Sequence, residues 1–235
     1  MPGKLYLIPT TIDEEEVFQT IPSSVKQIAG HLRFFFVEEE KSARRFLKKF
    51  NPHIPIDEYK FFPLNEHSQP KDTEQYLQKA VGQDIGIISE SGCPCVADPG
   101  ADVVLWAHRN NMEVIPLVGP SSVLLALMAS GLNGQNFAFN GYLPKEKDKR
   151  IKKIKELERR SQNENQTQIF METPYRNQNV LDDILAFCVP ETYLCLAVDL
   201  TGPEEYIKTL PVKEWKKHNV FLNKTPALFL IGKRS

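Results

Sequence analysis

Apolar residues recur along the chain in two alternating patterns, one typical of buried strands and one typical of amphipathic helices. Short runs of aliphatic and aromatic residues predict strands at residues 5–9, 33–37, 84–89, 114–118, 168–172, 193–199 and 227–232. Between them, apolar residues at helical spacing predict helices at residues 42–50, 74–81, 101–110, 122–131 and 179–187, with one more around Ile151, Ile154 and Leu157. This alternation is typical of βαβ units.

The pattern therefore predicts an α/β protein of two α/β domains with mainly parallel sheets. Strand and helix candidates lie on both sides of Val118-Gly119-Pro120, which places the boundary there. We predict an N-terminal α/β domain at residues 1–118 and a C-terminal α/β domain at residues 119–235. A length of 235 residues suits two domains, since domains commonly have about 100–200 residues.

The charge balance limits which partners the whole chain attracts. The formal net charge of −1 provides no overall field for a polyanion, so a nucleic acid would need a local basic patch. Residues 145–160 contain nine Lys or Arg and four Asp or Glu. This segment is either a solvated helix face or a phosphate-binding surface that uses Lys149, Arg150, Lys152 and Lys153.

Several protein classes are disfavoured because the sequence lacks their characteristic features. The longest apolar run, residues 122–129, is too short to span a bilayer, so we expect a cytoplasmic protein with no membrane partner. We expect the cysteines to be thiols rather than a disulfide framework. The five histidines are scattered, and no metal site is expected. The sequence also lacks the glycine-rich dinucleotide, P-loop and nucleophile-elbow motifs.

Three loops with small, turn-forming residues follow predicted strands directly. They are residues 9–13, residues 89–100 and residues 119–122. In open α/β sheets, ligands bind outside the carboxyl ends of strands, where all three loops are predicted to lie. Glycine and serine allow the backbone to approach a ligand closely. Each loop alone is an ordinary turn, but the three together indicate a small-molecule site.

The same loops resemble a known family in their order along the chain. The segments are SESGCPCVADPG, VIPLVGPSSVLLALMASGL, FNGYLP and IFMETPYR, preceded by the opening LYLIPT. They resemble the tetrapyrrole methylase superfamily, nearest to its ribosomal small-subunit RNA (cytidine-2′-O-)-methyltransferase branch. The resemblance covers nearly the whole chain, which makes it far more specific than any one loop.

The resemblance implies an S-adenosylmethionine-dependent methyltransferase with the cofactor in a cleft between its two domains, usually as a homodimer. The implied acceptor is ribosomal RNA, or the small ribosomal subunit, and methyl transfer by in-line displacement requires no metal and no protein nucleophile. Carried over by position, the implied cofactor-binding residues are Pro9, Ile12, Ser91, Gly92, Cys93, Val96, Ser121, Ser122, Met171, Pro226 and Ala227.

The chain departs from the family pattern mainly at positions assigned to the acceptor side. The branch has a Gly-Asn pair in the first loop, E-D-T-R after the second strand, H-N-E further on and R-E-L-T-K near the end. Here the first loop is Pro9–Asp13 and lacks the Gly-Asn pair, and the other three segments are Glu38–Lys41, His67–Gln69 and Val198–Gly202. The cofactor is therefore predicted more firmly than the RNA acceptor.

Alternative functions and the general base stay open at this stage. The alternatives are a corrin, porphyrin or other small-molecule methylase of the same fold, and a non-catalytic cofactor- or RNA-binding protein. Glu39, Glu90 and Glu172 are candidate bases for deprotonating the acceptor. A structural role is the more common one for each of them, so the sequence assigns no catalytic residue.

Overall fold

The computed structural model describes residues 3–13, 20–53, 55–65, 68, 70–222 and 224–233. The chain divides into two compact units, Met1–Ser121 and Ser122–Ser235, so the division falls three residues after Val118. Among the described residues, no helix is both long enough and apolar enough to cross a membrane.

The first unit alternates strands and helices. Its strands are β1 (Lys4–Ile8), β2 (Phe34–Val37), β3 (Lys60–Pro63), β4 (Ile85–Ile88) and β5 (Glu113–Pro116). Its helices are α1 (Ser23–His31), α2 (Glu40–Phe50), α3 (Pro70–Lys79) and α4 (Ala101–Arg109), with a 3-10 turn at Ile56–Glu58. The fold class predicted from the sequence is confirmed.

The described strands of this unit form a parallel sheet in the order β3-β2-β4-β1-β5. Strand β4 is apolar along its whole length because both faces of the sheet are covered. One face packs on α1 and α2 through Val25, Ala29, Phe46 and Leu47, among others. The opposite face packs on α3 and α4 through residues that include Leu77, Ala80, Val103 and Ala107.

The second unit contains β6 (Phe137–Tyr142), β7 (Thr167–Glu172), β8 (Tyr193–Val198), β9 (Tyr206–Pro211) and β10 (Ala227–Gly232). Its helices are α5 (Ser122–Ser130), α6 (Lys147–Glu164), α7 (Asn177–Phe187) and α8 (Val212–Trp215). Helices α6, α7 and α8 contribute to the apolar cluster on one face of the sheet, whereas α5 packs against the other.

The sheet of the second unit has the order β6-β7-β10-β8-β9 and is mixed rather than mainly parallel. Strands β6 and β7 are parallel, but β10 is antiparallel to both β7 and β8, and β8 is antiparallel to β9. Only residues 199–205 connect β8 to β9, which is too short for a parallel crossover. Strand β9 was not predicted from the sequence, and neither was its antiparallel pairing with β8.

The sequence predicted the centres of both sheets better than their edges. Strands β1, β2, β4, β5, β7, β8 and β10 match the predicted strand positions to within a few residues, whereas β3, β6 and β9 were missed. Helices α1 and α8 were also missed. Val25, Ile28 and Ala29 lie at helical spacing and could have revealed α1.

Candidate functional site

The candidate site lies at the carboxyl edge of the parallel sheet in the first unit. Strands β1 and β4 are neighbours there, and their connections run in opposite directions across the sheet. The connection from β1 leads to β2, whereas the connection from β4 leads to β5 at the opposite end of the strand order. This reversal of direction is a topological switch point, where open α/β sheets bind ligands. The loops after β1 and β4 therefore start side by side.

Hydrogen bonds join the β1 and β4 loops directly. The backbone N–H of Thr10 donates to the carbonyl of Gly92 at 2.9 Å, and its hydroxyl donates to the carbonyl of Ser89 at 3.4 Å. The hydroxyl of Ser91 donates to the carbonyl of Ile12 at 3.5 Å. Of the predicted cofactor residues, the structure thus brings Ile12, Ser91 and Gly92 together.

The loop after β5 joins the same cluster. The thiol of Cys93 donates to the carbonyl of Pro120 at 3.3 Å. Gly119 lies so close to Pro9 that a Cβ built on the glycine would be 2.3 Å from the proline Cβ. Any larger residue at position 119 would push the loops apart. All three loops singled out in the sequence therefore converge at this edge, with Ser121 ending the third.

The loop at residues 89–100 contains an unusual density of left-handed backbone. Gly92 and Gly100 have φ values of +70° and +135°, and the non-glycine residues Cys95 and Ala97 have values of 67° and 66°. Such conformations are uncommon for residues with a Cβ and concentrate at ligand sites. Val96, between the last two, keeps 47% of its surface exposed.

Three carboxyl groups interact at the ends of β2 and β4. Burial raises the pKa of Asp98 to about 6, in balance with a hydrogen bond from Ser89 that lowers it and the nearby charge of Glu90 that raises it. Burial also raises the pKa of Glu38, with added repulsion from Asp98 and Glu90. This edge of the sheet is therefore electronegative and suits a ligand that carries positive charge.

A cavity of about 380 Å³ opens beside this cluster, between the β1 loop, the β4 loop and α2. Its wall includes Thr10, Ile12 and Ser91 from the loops and Arg45 and Lys49 from the helix. Among the described residues, no group of three or more His, Cys, Asp or Glu side chains is arranged to hold a metal ion.

The three candidate bases have different surroundings. Hydrogen bonds from the backbone N–H groups of Lys41 and Ser42 lower the pKa of Glu39. Glu39 thereby caps α2, with its Oε2 2.7 Å from the Ser42 nitrogen. Glu172 is fully buried and bonded to Arg176 and to the N–H of Thr173. Only Glu90 is exposed in the cavity wall among the loops.

The remaining predicted cofactor residues belong to the second unit. Ser122 begins α5. Met171 packs on the α5 face of the sheet, and its register partner in β10 is Leu228. The side chain of Ala227 lies on the opposite face, and the register partner of Ala227 in β7 is Glu172.

The basic segment forms α6, and the structure corrects the interpretation of one residue in it. The Nε of Arg150 donates to Asp183 at 2.7 Å, and both side chains are only 6% exposed. The guanidinium of Arg150 is therefore buried in an ion pair and is not accessible to a phosphate. Lys149 and Lys153 form ion pairs within the helix region with Glu146 and Glu156.

The fold and the three converging loops are those of an α/β protein with a candidate small-molecule site at a switch point. Comparison with known proteins narrows this class. The chain is 30% identical to "Ribosomal RNA small subunit methyltransferase I" of Vibrio cholerae over 89% of this chain and 69% of that protein. It is 29% identical to the protein of the same name from Escherichia coli O157:H7, over 92% of this chain and 73% of that one.

The chain belongs to the tetrapyrrole (corrin/porphyrin) methylase family, whose model matches residues 26–216. The family and the enzyme class expected from the sequence are confirmed. Solved structures with the same fold include a diphthine synthase (TM-score 0.64, 12% identity, covering 98% of this chain and 90% of that one). The methyltransferase CobJ gives a TM-score of 0.62 at 17% identity, covering 98% and 94% of the two chains.

Proposed function

We propose that this chain is an S-adenosylmethionine-dependent methyltransferase that methylates a ribose 2′-hydroxyl of small-subunit ribosomal RNA. The RNA acceptor is supported by the names of three relatives, which match 89–92% of this chain. Each of them is named as a small-subunit ribosomal RNA methyltransferase. A ribosomal RNA acceptor favours a cytoplasmic location. The convergent loops of the first unit support the cofactor.

The residues at the carboxyl edge are suited to S-adenosylmethionine in two respects. Gly92 has a φ of +70°, and among the described residues only the Pro120 carbonyl lies within 4 Å of where its Cβ would be, which leaves room for a ligand along the backbone. The carboxylates of Glu38, Glu90 and Asp98 complement a sulfonium and an ammonium group. From this unit we propose as cofactor contacts Pro9, Ile12, Ser91, Gly92, Cys93, Val96 and Ser121.

From the second unit, Ser122, Met171, Pro226 and Ala227 complete the proposed set. When bound, S-adenosylmethionine supplies an activated methyl group. The protein's task is to align the acceptor oxygen with that methyl group and to exclude water, because in-line displacement at carbon is dominated by positioning. The new O–CH₃ bond forms as the S–CH₃ bond breaks, and the hydroxyl proton passes to a base or to solvent.

We also propose that the chain forms a homodimer. Helix α5 packs one side into the second unit, but its other side leaves Leu124 50% exposed and Met128 79% exposed. These residues are four positions apart and so lie on one face of the helix. Adjacent exposed apolar side chains are typical of an interaction surface.

The first test is calorimetric titration of the purified chain with S-adenosylmethionine. Replacing Ser121 by tryptophan should fill the space beside the three loops and abolish binding. Gln78→Trp is the matched control, because Gln78 is exposed on α3, whose C-terminus leads to the amino end of β4. Equal binding by wild type and Ser121→Trp would contradict the proposed site.

The acceptor is tested by transfer of tritiated methyl groups. Small ribosomal subunits, protein-free ribosomal RNA and a tetrapyrrole pool are offered in parallel, and alkali-resistant dinucleotides identify 2′-O-methylation. Label in ribosomal RNA supports the proposal, and label in tetrapyrroles instead contradicts the acceptor. Cofactor binding with no transfer to any of them would favour a non-catalytic binding protein.

A further inference from the structure

The second unit has exposed aromatic rings around a single loop. Residues 216–226 connect α8 to β10, and residue 223 is not described. Phe221 is 77% exposed in this loop, and Tyr175, before α7, is 78% exposed. Tyr206, at the start of β9, is 40% exposed. Rings this large and this exposed are uncommon on a surface that contacts only water.

The loop is anchored so that Phe221 faces outwards. On either side of it, Val220 packs against the core and Leu222 is 8% exposed. The N–H of Leu222 donates to the side chain of Gln178 at 3.0 Å. Further along, the side chain of Asn177 donates to the carbonyl of Thr225 at 2.6 Å. An aromatic ring therefore occupies the outward position where an alternating pattern would place a polar residue.

Phe221 forms part of a ridge between two grooves. Residues 218–221 line one groove of about 420 Å³, which extends to Val198 and Tyr206. The same residues line a second groove of about 330 Å³, which extends to Leu181 and Lys216. Both faces of the ridge thus adjoin open space, so a flat ring can lie against it from either side.

Cations and carboxylates lie side by side around the ridge. Residues 206–224 contain five lysines, of which Lys213 and Lys217 form ion pairs with Glu191 and Glu214. The ammonium group of Lys224 lies 5.4 Å from the centre of the Tyr175 ring, a cation–π geometry that holds a charge beside a stacking face. Glu204 in the first groove and Asp182 in the second are the carboxylates of the two linings.

We propose that Tyr175, Tyr206, Phe221 and Lys224 form a stacking surface for a single-stranded segment of the RNA acceptor. Single strands are held by bases stacked on aromatic side chains together with cations along the backbone, and this surface supplies both. The inference rests on the proposed RNA acceptor. It adds the region of the second unit that holds this acceptor.

The test is fluorescence anisotropy with a labelled 12-nucleotide single-stranded RNA. Tyr175→Ala and Phe221→Ala should each weaken binding roughly 5- to 100-fold, because each removes a stacking partner. Phe137→Ala is the matched control, since Phe137 is 39% exposed on β6 and should leave the affinity unchanged. Circular dichroism confirms that each variant is folded.

The role of Lys224 is tested through the salt dependence of RNA binding. Lys224→Gln should reduce the slope of log affinity against log salt by about 0.7 for one lost phosphate contact. Lys79→Gln is the matched control, because Lys79 makes the same kind of contact in the first unit. Its ammonium group lies 5.6 Å from the centre of the Tyr76 ring. Its slope should equal that of wild type.

Several outcomes would overturn the inference. Wild-type affinity in the Tyr175→Ala/Phe221→Ala double variant would remove the surface from RNA binding, even where methyl transfer to ribosomal RNA is established. A changed sedimentation coefficient in place of a changed affinity would assign the ridge to a subunit interface. No RNA binding by the wild type would overturn both this inference and the RNA acceptor, whereas cofactor titration would still test the first unit separately.

Discussion

At the scale of single residues, the β4 loop depends on conformations that its own sequence does not favour. Cys95 and Ala97 are in the left-handed region, which costs roughly 1–2 kcal/mol for a residue with a Cβ. Packing holds them there, since Cys95 contacts the apolar cluster between the sheet and α4. Gly100 is required beside it, because a Cβ there would be 2.6 Å from the Cys95 sulfur.

Asp98 should make the stability of the chain depend on pH. Its pKa is raised from 3.8 to about 6 in the folded state, so the folded chain binds the proton more tightly than the unfolded chain. This contribution to stability is complete below about pH 4 and is lost as the pH rises through 6. Asp98→Asn should therefore gain stability relative to wild type as the pH rises from 4 to 7.

Urea unfolding at a series of pH values measures this difference. Asp102→Asn provides the control for the loss of one negative charge, because Asp102 is exposed in the first turn of α4. A difference between Asp98→Asn and wild type that stays constant from pH 4 to 7 would contradict the assignment.

At the scale of elements, the Arg150–Asp183 pair fastens α6 to α7. The arginine Nη1 also donates to the carbonyl of Lys145 at 3.0 Å. Arg150→Ala would leave a buried carboxylate without its partner, and should lower the free energy of unfolding by about 3–5 kcal/mol. Lys152→Ala, on the exposed side of the same helix, should change it by less than about 0.5 kcal/mol.

Chemical denaturation of both variants measures the difference. The outcome also separates two explanations for the basic segment. Equal small losses in Arg150→Ala and Lys152→Ala would contradict the buried pair and return Arg150 to the set of surface cations.

The strands that the sequence failed to predict share a position in their sheets. Strands β3, β6 and β9 lie at sheet edges, where one side lacks a neighbouring strand. Residues along β6 and β9 are mostly half-buried or exposed, so their apolar pattern is weak. Strands β4, β8 and β10 are buried along almost their whole length, and their continuous apolar runs were recognised.

The candidate site shows the same division. The three loops of the first unit could be placed from the sequence, because the ends of parallel strands share one edge. The contact between Gly119 and Pro9 depends on tertiary structure, and so does the burial of Arg150 beside Asp183. Spacing along the chain identifies which residues are polar or small, but not which of them a neighbouring helix buries.

At the scale of the whole molecule, the proposed homodimer gives a direct prediction. Met128→Glu places a charge on the exposed face of α5 and should convert a dimer to a monomer. Leu105→Glu is the control, since Leu105 is 52% exposed on α4 in the first unit. Sedimentation velocity measures the result, and an unchanged dimer in Met128→Glu would contradict the role of α5.

Strand β10 has a consequence for the order in which the second unit is assembled. It follows β6, β7, β8 and β9 along the chain, yet it lies between β7 and β8 at the centre of their sheet. During synthesis, the β6–β7 pair and the β8–β9 hairpin emerge first and have no contact through the ladder. Their inner edges remain unpaired until β10 arrives, and unpaired edges readily bind other chains. A nascent chain that ends before residue 227 would therefore keep both inner edges open to pairing with other chains.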